Sequence, residues 1–317
     1  MSVKEISEKI KTERQLRAIT GLNYKQFSIL LPVFSKNLEQ MKQDKHKNKE
    51  RKIGSGNKGA IETPTEKLLL ILFYLRCYPT FDVLGFTFGI SGDSAHKYVY
   101  RLFEVAMKTL YDFGVLPHIN FKTPEEFQAA FKEFDTLLID ATERAVQRSH
   151  DYDIQNADYS GKKKQQTHKC TIISTLTTYI LYVGVIFRGK NHDYGMFKQE
   201  FEPGLNWFKK FRVYADLGYL GFADDYKPNE LFIPYKKPRK SKNNPNPTLT
   251  KEQKEHNKNV SRIRVKVEHA IGGMKRYKCF SDKYRNKIDD TKYFLKFYLL
   301  ACGILILYLI KFKKTTL

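Results

Sequence analysis

Cysteine, tryptophan and long apolar runs are all scarce in this chain of 317 residues. The four cysteines, Cys77, Cys170, Cys279 and Cys302, are scattered, and no two form a CxxC pair. That spacing excludes a zinc ribbon and a redox dithiol, and it fits a reducing compartment. The N-terminal MSVKEISEKIKTERQL is charged from its fourth residue and lacks an apolar core, so it does not read as a secretory signal. The most apolar stretch, Phe297 to Ile310, is shorter than the roughly 18–20 residues that cross a bilayer. Lys292, Lys296 and Lys311 bracket it closely. It reads as a buried C-terminal helix, which argues against a membrane-surface protein. Acidic residues are outnumbered, 34 Asp and Glu against 56 Lys and Arg, a net charge of +22. That charge, with a pI near 9.6, predicts attraction to a polyanion and says nothing about fold.

What is plentiful is core-forming material: 41% hydrophobic and 14% aromatic residues. Whole-chain disorder is excluded, and the length allows two domains or one with an appendage. No internal repeat is visible. Residues 1–40 read as helical, with Asn23 as a cap and Phe27, Leu30, Leu31 and Phe34 as one apolar stripe. The pattern dissolves over residues 41–64. Lys42, Lys45, Lys47, Lys49, Arg51, Lys52 and Lys58 crowd this tract, and Gly54, Ser55, Gly56 and Gly59 break it into a basic linker.

Residues 65–118 read as a small all-α region. Thr65 opens a helix that Pro79 stops, Thr80 to Phe88 forms a second, and Asp93 to about Leu110 a third. FDVLGFTFGISGDSAHKYVYRL has a helix-turn-helix layout. Gly89 sits at the turn, Ile90 is a buried turn residue, Ala95 and Val99 face inward, and Gly85 permits close helix approach. His96, Lys97 and Arg101 then face outward, where a recognition helix meets DNA.

From residue 119 the texture becomes mixed α/β. Thr123 and Pro124 open a short helix. Strands are expected at Phe134–Asp140, Cys170–Leu176, Tyr179–Phe187, Phe211–Asp216 and Leu231–Pro234, the second and third as an antiparallel hairpin. Asp193 to Phe201 and Thr250 to Tyr277 are expected as helices, and Tyr235–Leu249, with KKPRK at 236–240, as an exposed loop. Helices flank a central sheet.

Two strands end in carboxylates, Asp140 after TLLI and Asp216 after RVYA. Open α/β sheets place ligands at such ends. Glu268 lies on the late helix, beside a buried stripe of Ile263, Val267, Ala270, Ile271 and Met274, with Arg264 one turn before it and Lys275 two turns after. Three acids with flanking cations suit Mg²⁺ and a phosphodiester together. Each acid also has an ordinary reading, as a turn or cap residue or, for Glu268, as an i,i+4 partner of Arg264. Glu143, Asp193, Asp224 and Asp225 are rivals that spacing does not exclude.

The segments LLIDATE, YADLGYLG and RVKVEHAIGGMKR resemble three signatures of DDE-superfamily transposases, in the branch of bacterial insertion sequences related to Harbinger elements. LRCYPTFDVLGFTFGISGDSAHKYV is similar to the helix-turn-helix that precedes the catalytic domain there, and YSGKKKQQTHK and GKNHD resemble its intervening segments. The likeness runs from about residue 20 to 310. It implies an RNase H-like mixed-sheet catalytic domain over 119–317. It implies a triad of metal ligands at Asp140, Asp216 and Glu268, holding two Mg²⁺ ions, with Mn²⁺ as a substitute. Gly218 and Tyr219 match the Gly-Tyr after the second acid, and His192 and Asp193 match a His-Asp pair with no role assigned. Lys162, Lys163, Lys164, Arg264 and Lys275 join His96, Lys97 and Arg101 as expected DNA contacts. The implied activity is binding of double-stranded DNA at terminal inverted repeats, Mg²⁺-dependent strand cleavage, and transfer of the freed 3′-hydroxyl to target DNA. A homodimer or higher oligomer on DNA is expected, with no membrane. The setting is cytoplasmic and nucleoid-associated in a bacterium, or nuclear in a eukaryote. The alternative is a domesticated DNA-binding regulator without chemistry, against which the intact acid trio argues.

Overall fold

The computed structural model describes residues 10–46, 59–240, 242, 245–285 and 291–309. The chain forms two compact units. One takes residues 1–116, 274–282 and 292–317, the other 117–273 and 283–291.

The first unit is all-helical. Thr12 caps helix Glu13–Thr20 with a reciprocal capping box through Gln15, and Gly21 ends it with φ 81°. Asn23 caps helix Tyr24–His46 as expected: its Oδ1 accepts from the Gln26 amide at 2.8 Å. This helix continues to His46, past the Met41 where a linker was expected, and the rest of that basic tract, 47–58, lies outside the described residues. Helix Pro64–Cys77 starts one residue before the expected Thr65, because Thr63 and Glu66 cap each other and Pro64 fills the first turn. Thr80 caps Phe81–Phe88, Gly89 ends it in the left-handed region, and Ser91 caps Gly92–Asp112. A Cβ on Gly85 would meet the Ile90 carbonyl oxygen at 2.6 Å, so only glycine permits this helix crossing. Ile90 is half-buried rather than buried, while Ala95 and Val99 are fully inside. The apolar C-terminal helix, Thr291–Leu309, belongs to this unit. Phe297 packs edge-on to Phe103 at 4.8 Å between centroids, and the Gln26 amide donates to the Tyr308 carbonyl. No helix among the described residues is long and apolar enough to cross a membrane.

The second unit is built on a mixed sheet ordered β2-β3-β1-β6-β7. Its strands are β1 (Thr136–Ala145), β2 (Tyr159–Ser160), β3 (Gln165–Ser174), β4 (Ile180–Val183), β5 (Phe187–Arg188), β6 (Arg212–Tyr214) and β7 (Glu230–Phe232). β1 runs antiparallel to β3 and parallel to β6, and β6 is parallel to β7. β4 and β5 both pair with β3. Helices Pro124–Ala130, Tyr152–Asp158, Asp193–Glu200 and Lys251–Met274 complete the α/β arrangement, which fits an RNase H-like domain. One side of the sheet is covered by a ring-rich core that includes Phe127, Phe131, Phe197, Phe201, Trp207 and Phe208. Rings at this burial contribute about 1.5–3 kcal/mol each, and they anchor the interior strands β1 and β6 that position the acids. β1 is longer than the sequence suggests and extends five residues past Asp140.

Candidate functional site

Asp140 lies midway along β1, opposite Ile172 on β3, rather than at the strand end. Asp216 lies two residues past the end of β6. The parallel register Leu138↔Tyr214 carries each segment two residues on to its aspartate, which sets Asp216, just past β6, beside Asp140 on β1. Asp216 occupies the cap position of the short turn Leu217–Tyr219 but makes no capping hydrogen bond, which removes its ordinary reading as a cap.

A single guanidinium joins the two acids. Arg264 Nη1 lies 3.3 Å from Asp216 Oδ1, and Nη2 lies 3.8 Å from Asp140 Oδ2. Arg264 is only 13% exposed and its Nε has no partner. The sequence placed Arg264 among DNA contacts. The structure turns it inward, because the long helix Lys251–Met274 sets Val267, Ala270 and Ile271 into the core and brings Arg264 to the carboxylates. Burial pushes the Asp140 carboxyl up to about 6. The Ala141 amide and Arg264 oppose that rise, and the negative charges of Asp216 and Asp193 add to it. Tyr219 is buried with its hydroxyl unpartnered, and burial, then Asp193 and Asp140, raise its pKa.

Glu268 is exposed one turn beyond Arg264, and Arg264 pairs with the aspartates instead of with it. Among the described residues no three His, Cys, Asp or Glu side chains stand close enough to hold one metal ion. The structure therefore brings together two of the three predicted acids. Their donor set suits a hard divalent cation: two partly exposed carboxylates with a cation already held between them.

The rival acids have other occupations. Glu143 accepts from the Thr167 hydroxyl at 2.9 Å, and the buried Lys169 ammonium lies 3.5 Å from Glu143 and 3.1 Å from Asp193. Asp225 pairs with Lys198 and accepts from the Tyr194 hydroxyl. Asp224 sits in the first turn of helix Phe222–Tyr226. His192 occupies the cap position of helix Asp193–Glu200 without a side-chain capping bond.

The expected DNA contacts are mostly outside. Lys97, Arg101, Lys162, Lys163, Lys164 and Lys275 are exposed. His96 is exposed too, but its ring packs on Tyr100 at 4.5 Å and edge-on to Phe81 at 4.8 Å. Sequence reasoning missed Lys67. Burial, then Lys42 and Arg101, lower its pKa, which marks a crowded basic cluster beside the third helix. It also missed Lys169, whose signal was a lone lysine inside QQTHKCTII.

Two family models match. The DDE superfamily endonuclease model covers residues 139–306, and the helix-turn-helix of DDE superfamily endonuclease model covers 63–111. The chain is 28% identical over 279 residues to the "Probable transposase for insertion sequence element IS702" of Microchaete diplosiphon, across 87% of this chain and 88% of that protein. No solved structure matches. With paired strand carboxylates in the mixed sheet and a helix-turn-helix ahead of them, the chain belongs to the DDE superfamily endonuclease family.

Proposed function

We propose that the protein is the transposase of an insertion sequence. It binds the terminal inverted repeats of its element, cuts a phosphodiester at each end and joins the freed end to target DNA. The observation that carries this reading is the pair Asp140 and Asp216, each two residues beyond the parallel pair Leu138↔Tyr214 and together spanned by Arg264.

Asp140 and Asp216 would hold the divalent cation, with Glu268 as the third acid of the set. A bound Mg²⁺ would supply Lewis-acid polarisation and a more acidic water at neutral pH. Arg264 holds the two carboxylates together and offsets their mutual repulsion until the site is loaded. In the cleavage step a water oxygen forms a bond to phosphorus, the P–O3′ bond breaks, and the 3′-oxygen leaves with a proton. In the transfer step that 3′-hydroxyl attacks a target phosphorus, and the target's own 3′-oxygen departs. Lys97 and Arg101, on the exposed face of the third helix, would contact the repeat. The exposed lysines 162–164 would contact phosphates nearer the cut.

The test uses a duplex carrying the inverted repeat read from the DNA flanking the gene. Wild-type protein is expected to shift this duplex and to nick it with Mg²⁺. Asp140→Asn and Asp216→Asn should shift it equally and not nick it. Binding without nicking by the wild type would instead favour a regulator.

A further inference from the structure

One cation already lies where the carboxylates of Asp140 and Asp216 converge, and it belongs to the chain. Arg264 Nη1 is 3.3 Å from Asp216 Oδ1, and Nη2 is 3.8 Å from Asp140 Oδ2. A guanidinium spanning both acids stands in the place of the divalent cation that two such carboxylates would hold. Arg264 keeps its charge at any working pH, so it does not leave by losing a proton. It leaves only when something else satisfies the carboxylates or the guanidinium.

The fit is loose. Charge-assisted bonds from a guanidinium to a carboxylate run at about 2.7–2.9 Å and are often bidentate on one acid. Both contacts here are longer, and they are divided between two acids. The buried Nε has no partner. Its N–H and one Nη–H form the fork that matches two oxygens of a phosphate. The head group also has a short way to travel. Arg264 is already 13% exposed, and Ser261 and Glu268, one turn to either side of it on helix Lys251–Met274, are exposed. Arg264 thus lies at the rim of the helix's buried face, and rotation of its own side chain carries the guanidinium to solvent.

We propose that Arg264 gates the metal site: it occupies the acid pair in the free protein, and a phosphate of bound DNA draws it off, so that the divalent cation loads well only on protein that carries DNA. This rests on the endonuclease reading of the acid pair. The coupling is reciprocal, since the factor by which DNA tightens the cation is the factor by which the cation tightens DNA. In protein free of DNA the acids stay paired with their own arginine, and the site stays inert.

The experiment measures Mn²⁺ binding to the full chain by the loss of the free-ion electron paramagnetic resonance signal. It is run without DNA and with a duplex that already ends at the inverted repeat, so that no cut remains to be made. The duplex should tighten Mn²⁺ binding to the wild type about tenfold. Arg264→Gln should bind Mn²⁺ about tenfold more tightly than wild type without DNA, and the duplex should then add about threefold or less. Arg264→Lys, which keeps a cation, should stay close to wild type. A measurement on the wild type does not depend on a variant folding: Mn²⁺ alone should raise phenylglyoxal modification of Arg264, mapped by mass spectrometry, about threefold or more, because it turns the guanidinium out. Equal Mn²⁺ affinity of wild type and Arg264→Gln without DNA, or unaltered modification at saturating Mn²⁺, overturns the gate, and nicking by the wild type then leaves the endonuclease reading in place. Tight Mn²⁺ binding that survives the addition of Asp140→Asn to Arg264→Gln shows that the acids are not the ligands, which removes that reading together with the gate.

Discussion

The two units use charge in opposite ways. In the helical unit Lys97 and Arg101 stand outside, and the half-buried Lys67 is crowded by Lys42 and Arg101, with Glu66 and Glu62 opposing more weakly. In the sheet unit the key charges are matched, and the Lys169, Glu143 and Asp158 side chains are buried. Arg264 spans Asp140 and Asp216, Lys169 lies between Glu143 and Asp193, and Asp158 accepts from His168 and Arg188. The difference separates two tasks. Exposed cations attract a polyanion through a salt-dependent field and add little to stability. Buried pairs hold geometry, and removing one partner leaves an uncompensated charge in a poor solvent.

The largest effect should come from the acids themselves. Asp140→Asn and Glu268→Gln should each lower Mg²⁺-dependent strand cleavage by about 10³-fold or more, as expected of a residue needed only for the chemistry. A gel shift on the same duplex should be unchanged or slightly tighter, since losing a negative charge does not weaken attraction to phosphate. Near wild-type cleavage by Glu268→Gln would remove that residue from the site, consistent with its exposed position apart from the aspartate pair.

Next is the matched interior. Lys169→Met should cost about 3–5 kcal/mol in urea unfolding, because Glu143 and Asp193 lose their shared ammonium. Adding Glu143→Gln should recover part of that loss. If the single variant unfolds like wild type, the buried pairs of the sheet unit are no stiffer than surface pairs, and the contrast between the units collapses.

A third effect follows from Glu200, whose carboxyl is pushed up to about 7 by burial, against the nearby Thr171 hydroxyl, the hydrogen bond donated by the Val185 amide and the nearby Tyr182 hydroxyl. The folded state therefore keeps a proton that the unfolded chain gives up near pH 4.5. Stability is full below that value and falls as pH rises through about 7. Glu200→Gln removes this titration and should stabilise the metal-free protein by on the order of 2 kcal/mol at pH 8, with almost no effect at pH 4. Equal effects at both pH values would show that the carboxyl does not titrate in this window.

The same division explains what the sequence revealed. Caps and apolar stripes are local, so the helical unit was legible almost to the residue: Thr80, Gly89 and Asn23 do what their types predict. In the sheet unit the apolar halves of the strands were legible and the polar halves were not. ATERA after Asp140 and QQTHK before Cys170 lie outside the strands expected from the sequence, yet both are strand. Thr142 and Arg144 are buried there because β3 lies alongside and Tyr284 stacks under the Arg144 guanidinium at 4.9 Å. His168 and Lys169 are buried because Asp158, Glu143 and Asp193 wait for them. Such partners are distant in sequence, so periodicity carries no trace of them. Arg264 is the same case: its spacing suggests a local pair with Glu268, and only the folded sheet supplies the two aspartates that hold it instead.

The smallest expected change in stability tests the exposed half of the comparison. Lys97 and Arg101 lie one turn apart on helix Gly92–Asp112, both exposed, on the face opposite the buried Ala95 and Val99. Truncating each to Ala removes little packing, so unfolding should move by no more than about 0.5 kcal/mol. Binding should respond differently. Each lost phosphate contact should flatten the slope of log affinity against log salt by about 0.9. If one of the two reads a base edge instead, the slope holds and discrimination at a single base pair falls by about 1–3 kcal/mol. Titrating the double variant against repeat and scrambled duplexes at several salt concentrations separates these outcomes. An unchanged affinity, slope and discrimination would mean that this helix only packs, and that the basic surface lies with Lys67 and Lys42 or with the lysines of the sheet unit.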